Sequence, residues 1–388
     1  MAKKRKEIFP YSFEQGPIRP PAEANSLLLR LTRNCSWNHC TFCPLYKDEK
    51  FSIRDPEHVF RDIDIAYNIV AKIKNEAGEG GRLTQAIVNT IASTIEPGDR
   101  PLLNAVLHWY SAGMKSIFFQ DANSLVLKPE SLIKILERLK ECFPEVDRIT
   151  TFGRTQTILN ISDTNLKRYA ELGLNRIHAG LETGSDKLLG LVRKGCTKEM
   201  HVRAGHKVKK AGIELSECVL LGLGGKTLAR EHAIETADAV NQINPPIIRF
   251  LTLAAPRGAE LFQNDSTEGY IPSTDLDIAY ETKLFIESLD DVTSYIESNN
   301  ILNLLQEVEG TMPDSKEKML EALDTFINLP DETRMLFQTG KRLQIFSGLS
   351  DLNDSNRLTM AREACRKYGV TKENADDIIR EMIQSYMS

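Results

Sequence analysis

Short apolar runs alternate along the chain with longer segments in which apolar residues recur every three or four positions. Residues 26–32 alternate too little for a half-exposed strand, so they predict a strand buried in a parallel sheet. Residues 56–75 place Val59, Ile63, Ala66 and Ile73 at helical spacing and predict an amphipathic helix. Strand and helix therefore alternate from the start of this region.

The same alternation continues to about residue 253. Further strands are predicted at residues 116–120, 148–152, 176–180, 213–221 and 247–253. A helical region is predicted at 83–112, and helices at 129–142, 162–172, 185–192 and 230–243. Strands that alternate with helices pair in parallel through right-handed crossovers. About six such units predict an α/β fold, a partial (β/α)6 TIM-like barrel, because a closed barrel needs eight.

The pattern becomes helical after residue 271, with the clearest helices at 280–289, 315–327, 331–339 and 360–368. We therefore predict an N-terminal extension (1–25), a barrel domain (26–271) and a helical C-terminal extension (272–388). The extension would either close the open side of the barrel and shape a substrate pocket, or serve packing or oligomer contacts. Its polar candidates for substrate contact are Asn299, Asn300, Asn303 and Glu309.

Composition narrows the class of protein. The chain has 388 residues, 41% of them apolar and 27% charged, which is ordinary for a soluble globular protein. Its apolar stretches fall short of the roughly 20 residues that cross a bilayer. A net charge of -5 gives no general attraction to nucleic acid, so neither membrane nor nucleic acid is an expected partner. Residues 1–10 are basic and do not resemble a signal peptide, so we expect a cytoplasmic protein, with residues 3–6 as a solvated tail.

Three cysteines, Cys35, Cys40 and Cys43, follow the first predicted strand with the spacing C-x4-C-x2-C. In a reducing compartment, cysteines are more often metal ligands or catalytic groups than disulfides. Three thiolates can hold a four-iron cluster and leave one iron open for a ligand. The alternative is a zinc site with His39 as the fourth ligand, but zinc sites usually draw on two separated pairs. The remaining cysteines stand singly and are interpreted as small buried apolar residues: Cys142, Cys196, Cys218 and Cys365.

Polar and glycine-rich motifs follow other predicted strands. They are Asp121-Ala122-Asn123, Arg154, Glu182-Thr183-Gly184-Ser185 and Gly222-Leu223-Gly224-Gly225. In parallel sheets of this kind, chemistry gathers at the carboxyl ends of the strands. We therefore expect these motifs and the cysteine loop to contribute to a common site.

With the cysteine triplet, the aromatic Phe42 and the six-unit pattern, the chain resembles the radical S-adenosylmethionine (radical SAM) superfamily. Residues 119–125, 180–186 and 222–225 are similar to a bacterial subgroup related to oxygen-independent coproporphyrinogen dehydrogenases. The likeness covers most of the chain. The commonest triplet of the superfamily is C-x3-C-x2-C, so the extra residue implies a slightly longer loop with the same three ligands.

The resemblance implies an enzyme, an Fe-S oxidoreductase or transferase whose reaction is not specified. It implies a 4Fe-4S cluster on Cys35, Cys40 and Cys43, and SAM chelated at the open iron. One electron, from a donor such as flavodoxin or ferredoxin, would cleave SAM to a 5'-deoxyadenosyl radical that acts on an unidentified substrate. Two alternatives remain open: a non-catalytic iron-sulfur protein and a zinc-stabilised binding protein.

The resemblance also implies roles for residues at the strand ends. Asp121 and Asn123 would bind the SAM amino group, although they could equally form a turn or cap a helix. Glu182 and Ser185 would hold the ribose or the methionyl end, although Ser185 could cap the helix near residue 186.

The remaining candidates for cofactor binding are two glycines and an aromatic residue. Gly222 and Gly224 would let the backbone approach adenine, or would simply make a tight turn. Phe42 completes the predicted cofactor-binding set.

Overall fold

The computed structural model describes residues 12–78, 81–254, 259–263 and 270–385. The basic tail at residues 3–6 lies outside the described residues. The chain divides into two compact units. The first comprises Met1–Ser36, Asp48–His178 and Lys210–Ile213, and the second comprises Trp37–Lys47, Ala179–Lys209 and Glu214–Ser388. The predicted boundaries at residues 25 and 271 stay a prediction.

The elements alternate as the sequence pattern indicates. The strands are β1 (Leu27–Arg30), β2 (Thr32–Arg33), β3 (Ser52–Ile53), β4 (Ser116–Gln120), β5 (Arg148–Gly153), β6 (Leu174–Glu182), β7 (Glu214–Leu221), β8 (Ile247–Thr252), β9 (Tyr295–Glu297) and β10 (Gly310–Thr311). The helices are α1 (Pro56–Ala77), α2 (Gln85–Ser93), α3 (Arg100–Ser111), α4 (Pro129–Cys142), α5 (Thr155–Asn160), α6 (Asp163–Glu171), α7 (Asp186–Leu191), α8 (Lys198–Lys210), α9 (Gly225–Ile243), α10 (Glu260–Gln263), α11 (Asp275–Glu287), α12 (Lys316–Ile327), α13 (Asp331–Arg342), α14 (Ser355–Tyr368) and α15 (Ala375–Ser385).

The strands of the main sheet follow the order β1-β4-β5-β6-β7-β8-β9-β10 in the described part of the chain. Parallel pairing joins β1 to β4, β4 to β5, β7 to β8 and β8 to β9, while β10 is antiparallel to β9. A separate antiparallel ribbon consists of β2 and β3. The predicted α/β class with an open, largely parallel sheet is confirmed.

In the first unit, local signals fix the helix boundaries. Helix α1 begins after Asp55, whose carboxylate accepts a hydrogen bond from the Glu57 amide at 3.0 Å, and Pro56 occupies its first turn. The helical region predicted over residues 83–112 contains two helices, α2 and α3. They are separate because Pro97 begins a short 3₁₀ turn between them.

In the second unit, one face of β7 and β8 packs against helices. Val219, Ile248 and Phe250 are buried in an apolar core that α9 and α11 to α15 also line. Because side chains alternate across a strand, Cys218 and Arg249, which pair in register, point to the opposite face. The C-terminal helices therefore share their core with the sheet. No helix among the described residues combines the length and apolar character needed to cross a bilayer.

Candidate functional site

In the first unit, Asp121 directly follows β4 with a left-handed backbone (φ 68°). Its carboxylate is fully buried and accepts hydrogen bonds from the Arg30 Nε at 2.6 Å and from the Asn34 amide at 3.3 Å. Gly16 packs so closely that a Cβ at that position would lie 2.4 Å from the Asp121 Oδ1. The Arg30 guanidinium therefore neutralises the charge of the Asp121 carboxylate. The segment around Gly16 covers this carboxylate.

Arginines hold that covering segment in place. The Glu14 carboxylate accepts two hydrogen bonds from Arg33, at 2.6 and 2.7 Å, and lies 3.3 Å from the Arg54 Nε. Burial opposes ionisation of Glu14, but the Arg33 hydrogen bond and the charges of Arg54 and Arg30 outweigh it, so its pKa is lowered. Glu14 is therefore a carboxylate at neutral pH.

Asn123 connects the beginning of the cysteine loop to α5. Its Nδ2 donates to the Ser36 hydroxyl at 3.1 Å and to the Thr157 hydroxyl at 2.8 Å, while its Oδ1 accepts from the Arg154 amide at 3.3 Å. Ser36 is the neighbour of Cys35, whose thiol is half-buried. The amide of Asn123 therefore positions the residue beside the first cysteine. The predicted SAM contacts of Asp121 and Asn123 stay predictions.

In the second unit, backbone bonds anchor the later part of the cysteine loop. The Thr41 amide donates to the Val192 carbonyl at 3.1 Å, and the Thr41 carbonyl accepts from the Leu261 amide at 3.2 Å. Phe42 packs against an apolar cluster that includes Val192 and Leu261. The thiols of Cys40 and Cys43 are half-buried on either side of these anchors.

A partly buried ion pair lies at the end of β6. Glu182 has a left-handed backbone (φ 61°) and accepts a hydrogen bond from the Lys194 Nζ at 2.8 Å. Burial alone would lower the pKa of Lys194, but the charges of Glu182, Cys40 and Cys196 outweigh it and raise that pKa. Lys194 therefore keeps an ammonium beside the sulfur of Cys40, and this ammonium lies 6.0 Å from the centroid of the Phe42 ring.

The face of β7 and β8 to which Cys218 and Arg249 point carries a neutral thiol and a second ion pair. Burial raises the pKa of Cys218 to about 12, although the nearby Arg249 charge opposes the rise. Arg249 donates from Nε to the Glu297 Oε2 at 2.8 Å, and Asn299 donates to the Glu297 Oε1 at 2.6 Å. Asn299, a predicted candidate for substrate contact, therefore lies beside the Glu297 carboxylate.

The turn after β7 is held by buried polar groups. Gly222 adopts φ 81°, its amide donates to the Glu281 Oε1 at 2.7 Å, and its carbonyl accepts from the Tyr270 hydroxyl at 3.1 Å. Burial raises the pKa of Glu281 to about 8 and lowers that of His232, 3.5 Å away, to about 4. The turn interpretation of Gly222 is confirmed, while Gly224 is the N-cap of α9 with an ordinary φ of -71°.

Several predicted polar residues make structural contacts. Ser185 is the N-cap of α7, where it accepts from the Leu188 amide at 3.1 Å and donates to Glu231. Asn303 is buried and donates to the Phe250 carbonyl at 2.8 Å. Two other contacts involve predicted candidates: the Asn300 side chain accepts from the Leu302 amide, and Glu309 accepts from the Tyr295 hydroxyl. These bonds account for Asn300, Asn303 and Glu309 without a substrate.

A cavity of about 50 Å³ in the second unit lies where β7 and β8 end. Its lining includes Gly222, Thr252, Tyr270 and, from the C-terminal helix α15, Ile379 and Arg380. The C-terminal extension therefore contributes to a pocket at the strand ends of the second unit.

Comparison with known proteins finds a similarity in the middle of the chain. The family model of the Radical SAM superfamily matches residues 102–240. This segment is therefore similar to the radical SAM superfamily. The matched segment contains Asp121, Glu182, Lys194 and Gly222, and it begins after the three cysteines.

Among individual relatives, the heme chaperone HemW of Bacillus subtilis is 26% identical over 157 residues, which is 40% of the chain and 38% of HemW. Coproporphyrinogen III oxidase HemN from Escherichia coli has 16% identity and a TM-score of 0.43, covering 68% of this chain and 52% of HemN. Methylornithine synthase PylB has 15% identity and a TM-score of 0.41, covering 76% and 69%. The chain thus spans well under two thirds of HemW and of HemN.

A four-iron cluster, which radical SAM proteins hold, needs thiolate ligands. All seven cysteines of the chain are thiols, and Cys35, Cys40 and Cys43 are each half-buried, so they are available as ligands. Among the described residues, no three His, Cys, Asp or Glu side chains converge on a single metal ion. The ligands of a four-iron cluster bind different irons, so cluster ligation does not require such convergence. The three thiols fit the group.

Sequence reasoning missed Lys194 and Cys196. It gave Lys194 no role, and it interpreted Cys196 as a buried apolar residue, whereas Cys196 is half-buried and its sulfur lies 3.1 Å from the His201 Nε2. A signal for the Cys196–His201 pair is present in the sequence: a cysteine and a histidine stand five residues apart, one before and one after the start of helix α8, with Thr197 between them. Lys194 had no comparable signal because its partner is twelve residues away.

Proposed function

We propose that the chain is a radical SAM enzyme that binds a 4Fe-4S cluster and S-adenosylmethionine. The family match at residues 102–240 carries this proposal, and the C-x4-C-x2-C triplet that precedes the match supports it. When bound, the cluster and SAM supply reductive cleavage of the sulfonium to methionine and a 5'-deoxyadenosyl radical. The protein supplies binding, orientation and electrostatics.

Cys35, Cys40 and Cys43 provide the three thiolates of the proposed site. Their support is the sequence spacing, which places all of them within nine residues. A cluster with thiolate ligands carries negative charge, so a nearby buried cation stabilises it. Lys194 provides such a cation, because its raised pKa keeps the ammonium protonated next to the Cys40 sulfur.

Glu182 and Lys194 are the proposed polar contacts for SAM at the end of β6. An ammonium binds a carboxylate, and a carboxylate binds ribose hydroxyls or an ammonium. Glu182 is the last residue of β6, and its left-handed backbone turns it out of the regular strand geometry. Phe42 would provide an apolar wall, since its ring lies near the same ammonium.

Asp121 and Asn123 have two different proposed roles. The Asp121 carboxylate is fully buried and accepts a hydrogen bond from Arg30. Asp121 would therefore accept a hydrogen bond from the SAM ammonium only after the Arg30 bond rearranges. Asn123 would act through Ser36, by holding the residue next to Cys35. Ser185, Gly222 and Gly224 would contribute through the shape of the strand-end turns.

We propose that the protein is cytoplasmic. Its electron donor would be a one-electron carrier such as flavodoxin or ferredoxin. The substrate is unidentified. The match to the heme chaperone HemW covers 38% of that protein, so no heme-related activity is proposed.

Electron paramagnetic resonance of anaerobically reconstituted, reduced protein, recorded with and without SAM, tests the function. We expect a four-iron signal that SAM perturbs, together with 5'-deoxyadenosine in the same samples. Cys40→Ala should lose both signals, whereas Cys142→Ala, a buried cysteine outside the triplet, should keep both. A cluster signal that SAM leaves unchanged, with no deoxyadenosine, would instead indicate a non-catalytic iron-sulfur protein, and a zinc-loaded protein without a signal would indicate a zinc-stabilised one.

A further inference from the structure

Cys196 and His201 form a pair outside the cysteine triplet. The Cys196 Sγ lies 3.1 Å from the His201 Nε2, which is within hydrogen-bond reach of a sulfur. Cys196 is half-buried, and its neighbours Gly195 and Thr197 are exposed, so small reagents can reach the sulfur. The imidazole of His201 is 1% exposed and is therefore held in place. A thiol and an imidazole at this distance are the components of a nucleophile and its base.

The surroundings of Cys196 favour its thiolate form. Cys196 lies just before helix α8, whose first turn is tied to Thr197: the His201 amide donates to the Thr197 carbonyl at 3.1 Å and the Met200 amide to its hydroxyl at 3.3 Å. The amino end of a helix stabilises negative charge. The charge of the Lys194 ammonium also interacts with Cys196. The helix start and the Lys194 charge therefore both favour negative charge on this sulfur, which is hydrogen-bonded to His201.

The other cysteines outside the triplet have the opposite environment. Cys142, Cys218 and Cys365 are buried, and burial raises the pKa of each thiol. These three thiols are neutral and shielded. Cys196 therefore differs from them in exposure, in its basic partner and in its nearby cation.

We propose that Cys196, activated by His201, is a nucleophilic thiol and a modification site for peroxides and soft electrophiles. With a peroxide, the thiolate sulfur forms a bond to oxygen, the O–O bond breaks, and the departing hydroxide takes the proton held on His201 to leave water and a sulfenic acid. A thiol reductant returns the sulfenic acid to the thiol in two steps. This proposal does not depend on SAM chemistry and stands whether or not the chain cleaves SAM.

Alkylation by iodoacetamide measures the thiolate directly, because the sulfur displaces iodide from carbon. Cleavage after glutamate releases Cys196 in the peptide spanning residues 183–199, where it is the only cysteine, so mass spectrometry follows it separately from the triplet. At pH 7 the holoprotein should alkylate Cys196 about tenfold faster than glutathione, because the imidazole of His201 at 3.1 Å from the sulfur can accept the thiol proton. Hydrogen peroxide followed by dimedone should label the same peptide.

Two histidine variants distinguish the effect of His201 on Cys196 from the effect of the surrounding helix. His201→Gln should lower the alkylation rate severalfold and move the midpoint of its pH profile upward by about one unit, since the base is lost. His206→Gln, an exposed histidine on the same helix, should change neither quantity. The groups facing the sulfur are His201 and Lys194, with Glu182 and Cys40 facing Lys194 in turn.

The wild-type rate decides the proposal even where His201→Gln folds poorly. A Cys196 rate equal to or below that of glutathione overturns the proposal. So does a pH midpoint that is the same in the wild type and in folded His201→Gln. Cys196→Ser should abolish the label on residues 183–199, and label that persists there would assign the reaction to another residue.

Discussion

At the scale of single residues, the strand ends show which features a sequence reveals. Asp121 and Glu182 were predicted as site candidates because each follows a buried strand. Their left-handed backbones could not be read from the sequence, since aspartate and glutamate adopt ordinary conformations in most contexts. The residue types therefore indicated that Asp121 and Glu182 lie at the site. Tertiary packing determined their backbone conformations and their partners, Arg30 for Asp121 and Lys194 for Glu182.

Lys194 is the residue whose replacement should most directly affect cofactor binding. Lys194→Gln removes the ammonium and leaves the Glu182 carboxylate buried without its 2.8 Å partner. A charge-assisted hydrogen bond is worth about 1.5–3 kcal/mol, so SAM affinity should fall by roughly 10- to 100-fold. Equilibrium dialysis of SAM against cluster-loaded protein measures this, with iron and sulfide content recorded in parallel.

Two variants serve as controls for Lys194. Lys194→Arg keeps the charge and should restore most of the affinity. Lys198→Gln removes a lysine four positions away that pairs with the more exposed Glu235 and Asp238, and it should leave SAM affinity unchanged. An unaltered dissociation constant in Lys194→Gln would reduce the Glu182–Lys194 pair to a structural ion pair.

At the scale of elements, the long periodic segments were predicted well and the short ones were missed. The strand predicted at residues 116–120 is β4, and the helix predicted at 129–142 is α4. β9 and β10 were missed because strands of three and two residues carry no measurable period. They form in a region that was predicted to be helical, through pairing with β8 and with each other.

Helix α11 begins with a capping box that should contribute measurably to stability. The Asp277 amide donates to the Thr274 hydroxyl at 3.2 Å, and the Thr274 amide donates to the Asp277 carboxylate at 2.9 Å. Thr274→Ala should lower the free energy of unfolding by about 1 kcal/mol, because one amide at the helix start loses its acceptor. Urea unfolding followed by circular dichroism measures the change.

The matched variant for this cap is Thr274→Ser, which keeps the hydroxyl and should retain most of the stability. If Thr274→Ser lost as much stability as Thr274→Ala, the methyl group rather than the capping bond would be responsible. Thr84→Ala provides a second comparison, because Thr84 caps the exposed helix α2 with a longer bond of 3.3 Å and should cost less.

At the scale of the whole molecule, the predicted α/β class is confirmed, whereas the relation of the C-terminal region to the sheet could not be predicted. Helices after residue 271 share the apolar core of β7 and β8 in the second unit, with Phe285, Phe326 and Phe337 among its buried residues. Arg342 and Asp275, both 2% exposed, form an ion pair at 2.6 Å within the same unit. Amphipathic periodicity predicts that a helix has an apolar face but does not specify which surface covers it.

Buried titratable groups make the stability of the whole protein depend on pH. Burial raises the pKa of Glu281 and of Glu217 to about 8, above the ordinary glutamate value of 4.5. The folded state therefore holds protons that the unfolded state has released, and the free energy of unfolding falls as the pH rises from about 4.5 to 8. His232 acts in the opposite direction between about pH 4 and 6.5, because burial lowers its pKa to about 4.

In the interval from pH 6.5 to pH 8 the carboxyl groups dominate, since His232 is neutral in the folded state and at most half protonated in the unfolded state. One proton changes the free energy of unfolding by at most about 1.4 kcal/mol per pH unit. Urea unfolding at the two ends of this interval should show a loss for the wild type. Glu281→Gln should reduce that loss by roughly half, because Glu217 still contributes. Glu287→Gln, an exposed glutamate on the same helix, should leave the loss unchanged. A slope identical in wild type and Glu281→Gln would mean that Glu281 ionises normally, and the bond from the Gly222 amide would then hold a carboxylate at neutral pH.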